Sequence, residues 1–206
     1  MAVFEERLLE LLHGNSFQYS PNSLFTLASG RTSPYYIDAK KTLCIPEALH
    51  LVSRAIFERI ACLEAERALR IDAIGGLTMG ADPIAHGTSL YSHGQNHPIP
   101  WFSVRKEAKT HGLRKFVEGH DRSPSRVVIV DDVVTTGEST IKAMEGAKAA
   151  GFTIEQILVL VDRMEGGTET LKATGLPYQA IFTIDDLKRF RSNHSGSRGL
   201  VLQQAG

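Results

Sequence analysis

Cysteine is scarce: Cys44 and Cys62 are the only two among 206 residues. They lack the close spacing of a metal site, so two reduced thiols in a cytoplasm are the expectation. Net charge is absent too, since 23 Lys and Arg balance 23 Asp and Glu. That removes the global field expected of a protein built for nucleic acid or a membrane surface, and any electropositive site must be local. No apolar run approaches the ~20 residues needed to span a bilayer. The opening MAVFEERLLELL carries acids where a signal peptide carries basic residues. His93 and His97 have no obvious third ligand and read as surface histidines. Neither GxxxxGK[ST] nor GxGxxG occurs, which excludes a Walker loop and a dinucleotide fingerprint. Repeats and low-complexity tracts are missing as well. What remains, at 42% apolar residues, is an ordinary globular chain of one domain, with residues 192–206 as its loose segment.

The patterns present alternate between strand and helix. Residues 3–13 place Phe4, Leu8, Leu11 and Leu12 on one helical face, and residues 15–22 read as loop. Phe25 to Lys41 reads as two short strands around Ser29-Gly30-Arg31-Thr32. Pro46 opens a helix with Ala48, Val52, Ala55, Ile56 and Ile60 on one stripe. A strand over 70–74 runs into Gly75-Gly76-Leu77-Thr78-Met79-Gly80, and a helix follows through Ile84 and Ala85. After a loop over 91–98, strands are expected at 99–104, 154–161 and 178–183, with a short helix over 184–190. This alternation predicts an α/β fold with a mostly parallel sheet and right-handed crossovers.

The stretch RVVIVDDVVTTGEST, residues 126–140, organises the rest. Val127 to Val130 are all β-branched, as in a strand buried on both faces, and they end at Asp131-Asp132. Val133, Val134, Thr135, Thr136 and Gly137 lead into a helix that starts near Glu138 and Ser139. In that helix Ile141, Met144 and Ala147 share a stripe, and Gly151 is placed to stop it. Free N–H groups at a helix N-terminus favour a phosphate, and paired carboxylates can accept bonds from vicinal ribose hydroxyls. Taken alone, the acidic pair is equally compatible with a solvated turn.

Three further strand ends carry chemistry. Gly75 to Gly80 can cradle pyrophosphate or simply turn into a helix. The segment from Arg105 to His120 concentrates Arg105, Lys106, Lys109, His111, Arg114 and Lys115 in an otherwise neutral chain. It is either a solvated face or a lid whose cations meet developing negative charge. Arg163 is either an ion-pair partner of Asp162 or a fork for a substrate carboxylate. Ligands bind beyond the carboxyl ends of parallel strands, so the four loops are expected to share one site.

Residues 126–140 resemble the 5-phosphoribosyl 1-pyrophosphate motif of type I phosphoribosyltransferases. Phe25 to Gly30 followed by Ser33-Pro34-Tyr35-Tyr36-Ile37-Asp38 resembles the N-terminal hood segment of orotate phosphoribosyltransferases. VRKEAKTHG, VDRMEGG and AIFTIDDL are similar to that family in its usual order, over roughly residues 8–187. The resemblance implies a type I phosphoribosyltransferase fold with a small N-terminal hood. The hood would comprise about residues 1–45 plus the C-terminal segment, and the core about 46–190, within a single domain of 1–206. It implies a stand-alone bacterial form, because no decarboxylase-sized extension follows.

It further implies Mg²⁺-dependent transfer of ribose 5-phosphate to orotate in UMP biosynthesis, in a cytoplasmic homodimer with shared sites. Neither nucleic acid nor membrane would be a partner. Asp131, Asp132 and Lys109 would be catalytic. Residues 131–139 would bind 5-phosphoribosyl 1-pyrophosphate, with the 5-phosphate over Thr135 to Ser139. Arg105, Lys109, His111 and the Thr78-Met79 loop would meet the pyrophosphate, joined by Lys106 from the neighbouring subunit. Tyr36, Ile37, Thr135 and Arg163 would hold orotate. The metal would have no direct protein ligand and would be bound through substrate oxygens and water. Many members carry lysine where this chain has Ala28 and Met79, which leaves more of the neutralisation to the lid and the metal. A purine-specific enzyme of the same fold is the rival reading, but a purine offers no carboxylate for Arg163 to clamp. A ligand-sensing regulator would need a basic face or an added DNA-binding module.

Overall fold

The computed structural model describes residues 2–20, 24–26, 32–106 and 116–195. Helix α1 (Val3–Asn15) forms along the apolar face of its sequence, and Leu8, Leu9 and Leu12 are buried. Four short strands follow: β1 (Phe17–Tyr19), β2 (Phe25–Thr26), β3 (Thr32–Ser33) and β4 (Tyr35–Ile37). β2 and β3 pair antiparallel; of the expected turn, Thr32 opens β3, and Ser29 to Arg31 lie with residues 27 and 28 outside the described residues. β1 corrects the expected loop over 15–22. It pairs antiparallel with β4, Phe17 opposite Ile37, and three residues are too few to show a period in the sequence. After α2 (Lys40–Leu43), Pro46 occupies the first turn of α3 (Pro46–Arg67), where its missing N–H costs nothing. All five residues of the expected α3 stripe are fully buried.

The remaining elements are β5 (Ala73–Leu77), α4 (Asp82–Gly94), β6 (Trp101–Val104), β7 (Val117–Gly119), β8 (Ser125–Val134), α5 (Glu138–Ala149), β9 (Phe152–Asp162), α6 (Gly167–Lys172), β10 (Tyr178–Thr183) and α7 (Ile184–Ser195). Among the described residues, six strands form one sheet in the order β10-β9-β8-β5-β6-β7. Every neighbouring pair is parallel except β6 with β7. The chain therefore winds outward in one direction through β5 and β6, and in the other through β8, β9 and β10. The switch point lies between β5 and β8, where a crevice opens at the strand ends.

Alternation along β8 explains its uninterrupted apolar run. Val128 and Val130 face the core built with α1, α3 and α4, whereas Val127 and Ile129 face the core beneath α5. Three expectations at the strand ends are corrected. β8 does not stop at the acidic pair but continues through it to Val134, because its pairing with β9 extends to Val134 opposite Asp162. Gly75 and Gly76 lie inside β5 and not in the loop that follows it. A Cβ at Gly75 would strike Phe102, and one at Gly76 would strike the Val130 carbonyl, so these glycines serve strand packing. Helix α4 also runs to Gly94, taking the first residues expected as loop. At the far end, α7 packs on α1, with the Phe190 and His13 rings 5.2 Å apart.

Candidate active site

Asp131 and Asp132 are consecutive strand residues, so their side chains leave opposite faces of β8. Asp131 turns toward α5, where the Thr140 hydroxyl donates to its Oδ2 at 2.8 Å. Its Oδ1 accepts the Asp132 amide at 3.0 Å. Asp132 accepts the Val133 amide at 2.9 Å, and the Lys40 ammonium stands 3.7 Å from its Oδ2 and 2.9 Å from Asp38. Both carboxylates are buried, at 5% and 8% exposure. Burial first, and then the neighbouring Asp132 carboxylate, push Asp131 up to about 7, against the opposing pull of its two donors. Across the switch point, a Cβ at Gly80 would come within 2.5 Å of the Asp132 carboxylate. Any larger residue at position 80 would have to push the Asp132 carboxylate aside.

Beyond Val134 the chain turns into α5 through Gly137, whose φ of +86° suits glycine and whose neighbour is Leu171 of α6. The Ile141 amide is the first to bond back, to the Gly137 carbonyl. The amides of Glu138, Ser139 and Thr140 have no acceptor within the helix, so they present the donors and positive dipole end that suit an anion. Thr136, Glu138 and Ser139 are exposed, while Thr135 is half-buried.

Thr78, Met79, Arg105 and Lys106 come together around an open cavity of about 630 Å³. Asp82, at the start of α4, organises its floor by accepting the Thr78 hydroxyl at 2.6 Å and the Ser103 hydroxyl. Arg105 lies 3.6 Å from Glu118 of β7. Met79 is largely exposed. Lys109 and His111 fall outside the described residues.

On the other side, Arg163 is buried at 5% exposure. Its partner is not Asp162, which overturns that ion-pair reading. Arg163 Nε donates to Glu165 at 3.0 Å and its Nη2 to the Tyr35 carbonyl at 3.2 Å. Asp162 is instead occupied by the Met164 amide, the Thr168 hydroxyl and the Tyr178 hydroxyl. The Arg163 amide donates to the Val134 carbonyl at 2.9 Å, so the Arg163 turn abuts the Thr135 loop. Through Tyr35 the guanidinium also reaches β4, which carries Tyr36 and Ile37. Tyr36 is half-buried, with its ring 5.6 Å from Phe25, whereas the Ile37 side chain is packed in the core.

Relatives decide the family. The chain is 42% identical over 184 residues to the orotate phosphoribosyltransferase of Sorangium cellulosum, covering 88% of this chain and 91% of that protein. It is 36% identical over 190 residues to that of Nostoc, covering 92% and 87%. The chain belongs to the orotate phosphoribosyltransferase family. Its fold is the type I phosphoribosyltransferase fold. The orotate phosphoribosyltransferase of Mycobacterium tuberculosis in complex with Fe(III) dicitrate matches it with a TM-score of 0.74 at 33% identity, over 89% of this chain and 98% of that one. The same enzyme in complex with 5-phospho-α-D-ribosyl 1-diphosphate matches at 0.70 and 31%, over 90% and 99%. No family model matches the chain.

Within this family member, sequence reasoning missed Lys40, Asp82, Thr140 and Glu165. Each is defined by the contact it makes in the fold and carries no motif of its own. Thr140 offered the best signal, as a hydroxyl in the first turn of a helix directly after an acidic strand end.

Proposed function

We propose that the protein transfers the ribose 5-phosphate group of 5-phosphoribosyl 1-pyrophosphate to orotate, giving orotidine 5′-monophosphate and pyrophosphate for UMP biosynthesis. The observation that carries this reading is the buried Asp131-Asp132 pair beside a helix N-terminus at the switch point, in a chain of this family. The α5 N-terminus and the loop from Thr135 to Ser139 take the 5-phosphate. Asp131 and Asp132 accept the ribose hydroxyls. As the glycosidic bond stretches, positive charge grows on the ribose and negative charge on the leaving pyrophosphate. The carboxylates stabilise the first, and Arg105, Lys109, His111 and a partner subunit's lysine at position 106 the second. Ribose hydroxyls bonded to Asp131 favour its ionised form and draw its proton affinity down from about 7.

Arg163 clamps the orotate carboxylate beside Tyr36, Ile37 and Thr135, a role its burial next to β4 supports. Mg²⁺ neutralises the pyrophosphate charge when bound. The carboxylate oxygens of Asp131 and Asp132 suit a hard cation carried mainly by substrate oxygens. Asp131 and Asp132 would hold it through water. The N-terminal elements to about residue 45, with the C-terminal segment, form the hood over a core of about residues 46–190, and the working unit is a cytoplasmic homodimer. Among the described residues no helix is long and apolar enough to cross a membrane.

Orotate absorbance, followed with 5-phosphoribosyl 1-pyrophosphate, tests the reading. Loss of orotate that requires both the sugar pyrophosphate and Mg²⁺ is expected. Turnover of hypoxanthine or adenine without loss of orotate would overturn it.

A further inference from the structure

The geometry points to Glu165 as the residue that sets how tightly the carboxylate of the base is held, an inference that rests on Arg163 being its clamp. A guanidinium offers a carboxylate two forks, one through Nε and one Nη, the other through both Nη atoms. Oε1 of Glu165 fills the first fork by itself, 3.0 Å from Nε and 2.9 Å from Nη2. The Tyr35 carbonyl shares Nη2 at 3.2 Å, so among the described residues Nη1 is the donor with no such claim on it.

The two partners differ in freedom. The Arg163 side chain is 5% exposed and that of Glu165 is 22% exposed. Asp162 fixes the turn by accepting the Met164 amide at 2.6 Å, while Gly166, next to Glu165, has open space around it. A buried guanidinium without a counter-charge is costly, and Glu165 supplies that counter-charge to Arg163. An incoming orotate carboxylate must displace Glu165 from the fork or bind Nη1 beside its negative charge. Either route weakens binding, and neither penalty exists for a base without a carboxylate. Glu165 is thus a built-in competitor that holds down the affinity for orotate.

Glu165→Gln keeps an oxygen acceptor for Arg163 and removes the charge. The expected result is a KM for orotate about tenfold lower, the scale of exchanging a charged hydrogen bond for a neutral one. The KM for 5-phosphoribosyl 1-pyrophosphate should stay unchanged, orotate should raise Tm more than in the parent, and uracil should gain nothing. A higher or unchanged KM for orotate would make Glu165 a mere support for Arg163 and overturn the inference. Arg163→Lys separates the two readings, because it keeps the charge and loses the fork. A raised orotate KM in Arg163→Lys supports the clamp, so that failure of Glu165→Gln then counts against Glu165 alone. An unchanged one removes the clamp and the inference with it.

Discussion

Asp131 and Asp162 are two buried carboxylates on neighbouring parallel strands, and they are treated in opposite ways. Asp162 accepts from the Met164 amide at 2.6 Å, the Tyr178 hydroxyl at 2.6 Å and the Thr168 hydroxyl, binding β9, α6 and β10 into one turn. Burial, and then this hydrogen bond to Asp162, raise the Tyr178 phenol far above its ordinary range, so Tyr178 remains a donor. Among the described residues Asp131 accepts from Thr140 and the Asp132 amide, with a second carboxylate next to it. A buried carboxylate saturated with donors is scaffold. One left short of donors beside a like charge is a place where a ligand supplies what the fold withholds.

The contrast breaks most visibly in paired variants. Asp131→Asn should lower turnover by about 10²–10³, the scale of removing one preorganised charge-stabilising group. It should also leave the unliganded protein about 1–2 kcal/mol more stable at pH 8, because a crowded buried charge is gone. Asp162→Asn should do the reverse in emphasis, costing about 2–3 kcal/mol by chemical denaturation as its three donors lose their acceptor. Its loss of activity should fall mainly on the KM for orotate, since the Arg163 turn loosens. Equal losses of stability in the two variants would erase the distinction.

The pH dependence sharpens it. The folded state holds the Asp131 proton up to about 7, whereas the unfolded chain gives it up near 3.8. Between those values the folded state binds more protons, so this group's contribution is fully present below pH 3.8 and is lost as pH rises through about 7. The loss amounts to at most roughly 4 kcal/mol. Thermal melts of the unliganded protein should therefore fall in Tm from pH 5 to pH 8, and Asp131→Asn should flatten that fall. Thr140→Val gives the smallest effect, about 1 kcal/mol, by removing one donor. The same change should steepen the pH dependence, because Asp131 then holds its proton to still higher pH.

Much of this was legible in the chain. β10 falls on the expected residues 178–183, and the apolar run Val127 to Val130 is buried on both faces. The four loaded stretches do fall at the carboxyl ends of β5, β6, β8 and β9, which lie side by side in the sheet. What escaped was short or long-range. β1 and β7 are three residues each, and α6 is six residues opening on a glycine, so none carries a readable period. The Gly75-Gly76 pair looked like a loop because glycine usually marks one. Only Phe102 and Val130 on the adjacent strands reveal why a strand needs it. The fate of Arg163 was undecidable from its neighbour Asp162, since the true partners, Glu165 and the Tyr35 carbonyl, depend on the fold closing.

The most direct test is a carboxyl ¹³C titration of the unliganded protein, with the Asp131→Asn spectrum assigning the signal. The account predicts a midpoint for Asp131 near 7, moving down when 5-phosphoribosyl 1-pyrophosphate binds. A midpoint at or below the ordinary value of 3.8 would mean that the fold already satisfies this carboxylate, and that Asp131 is scaffold like Asp162.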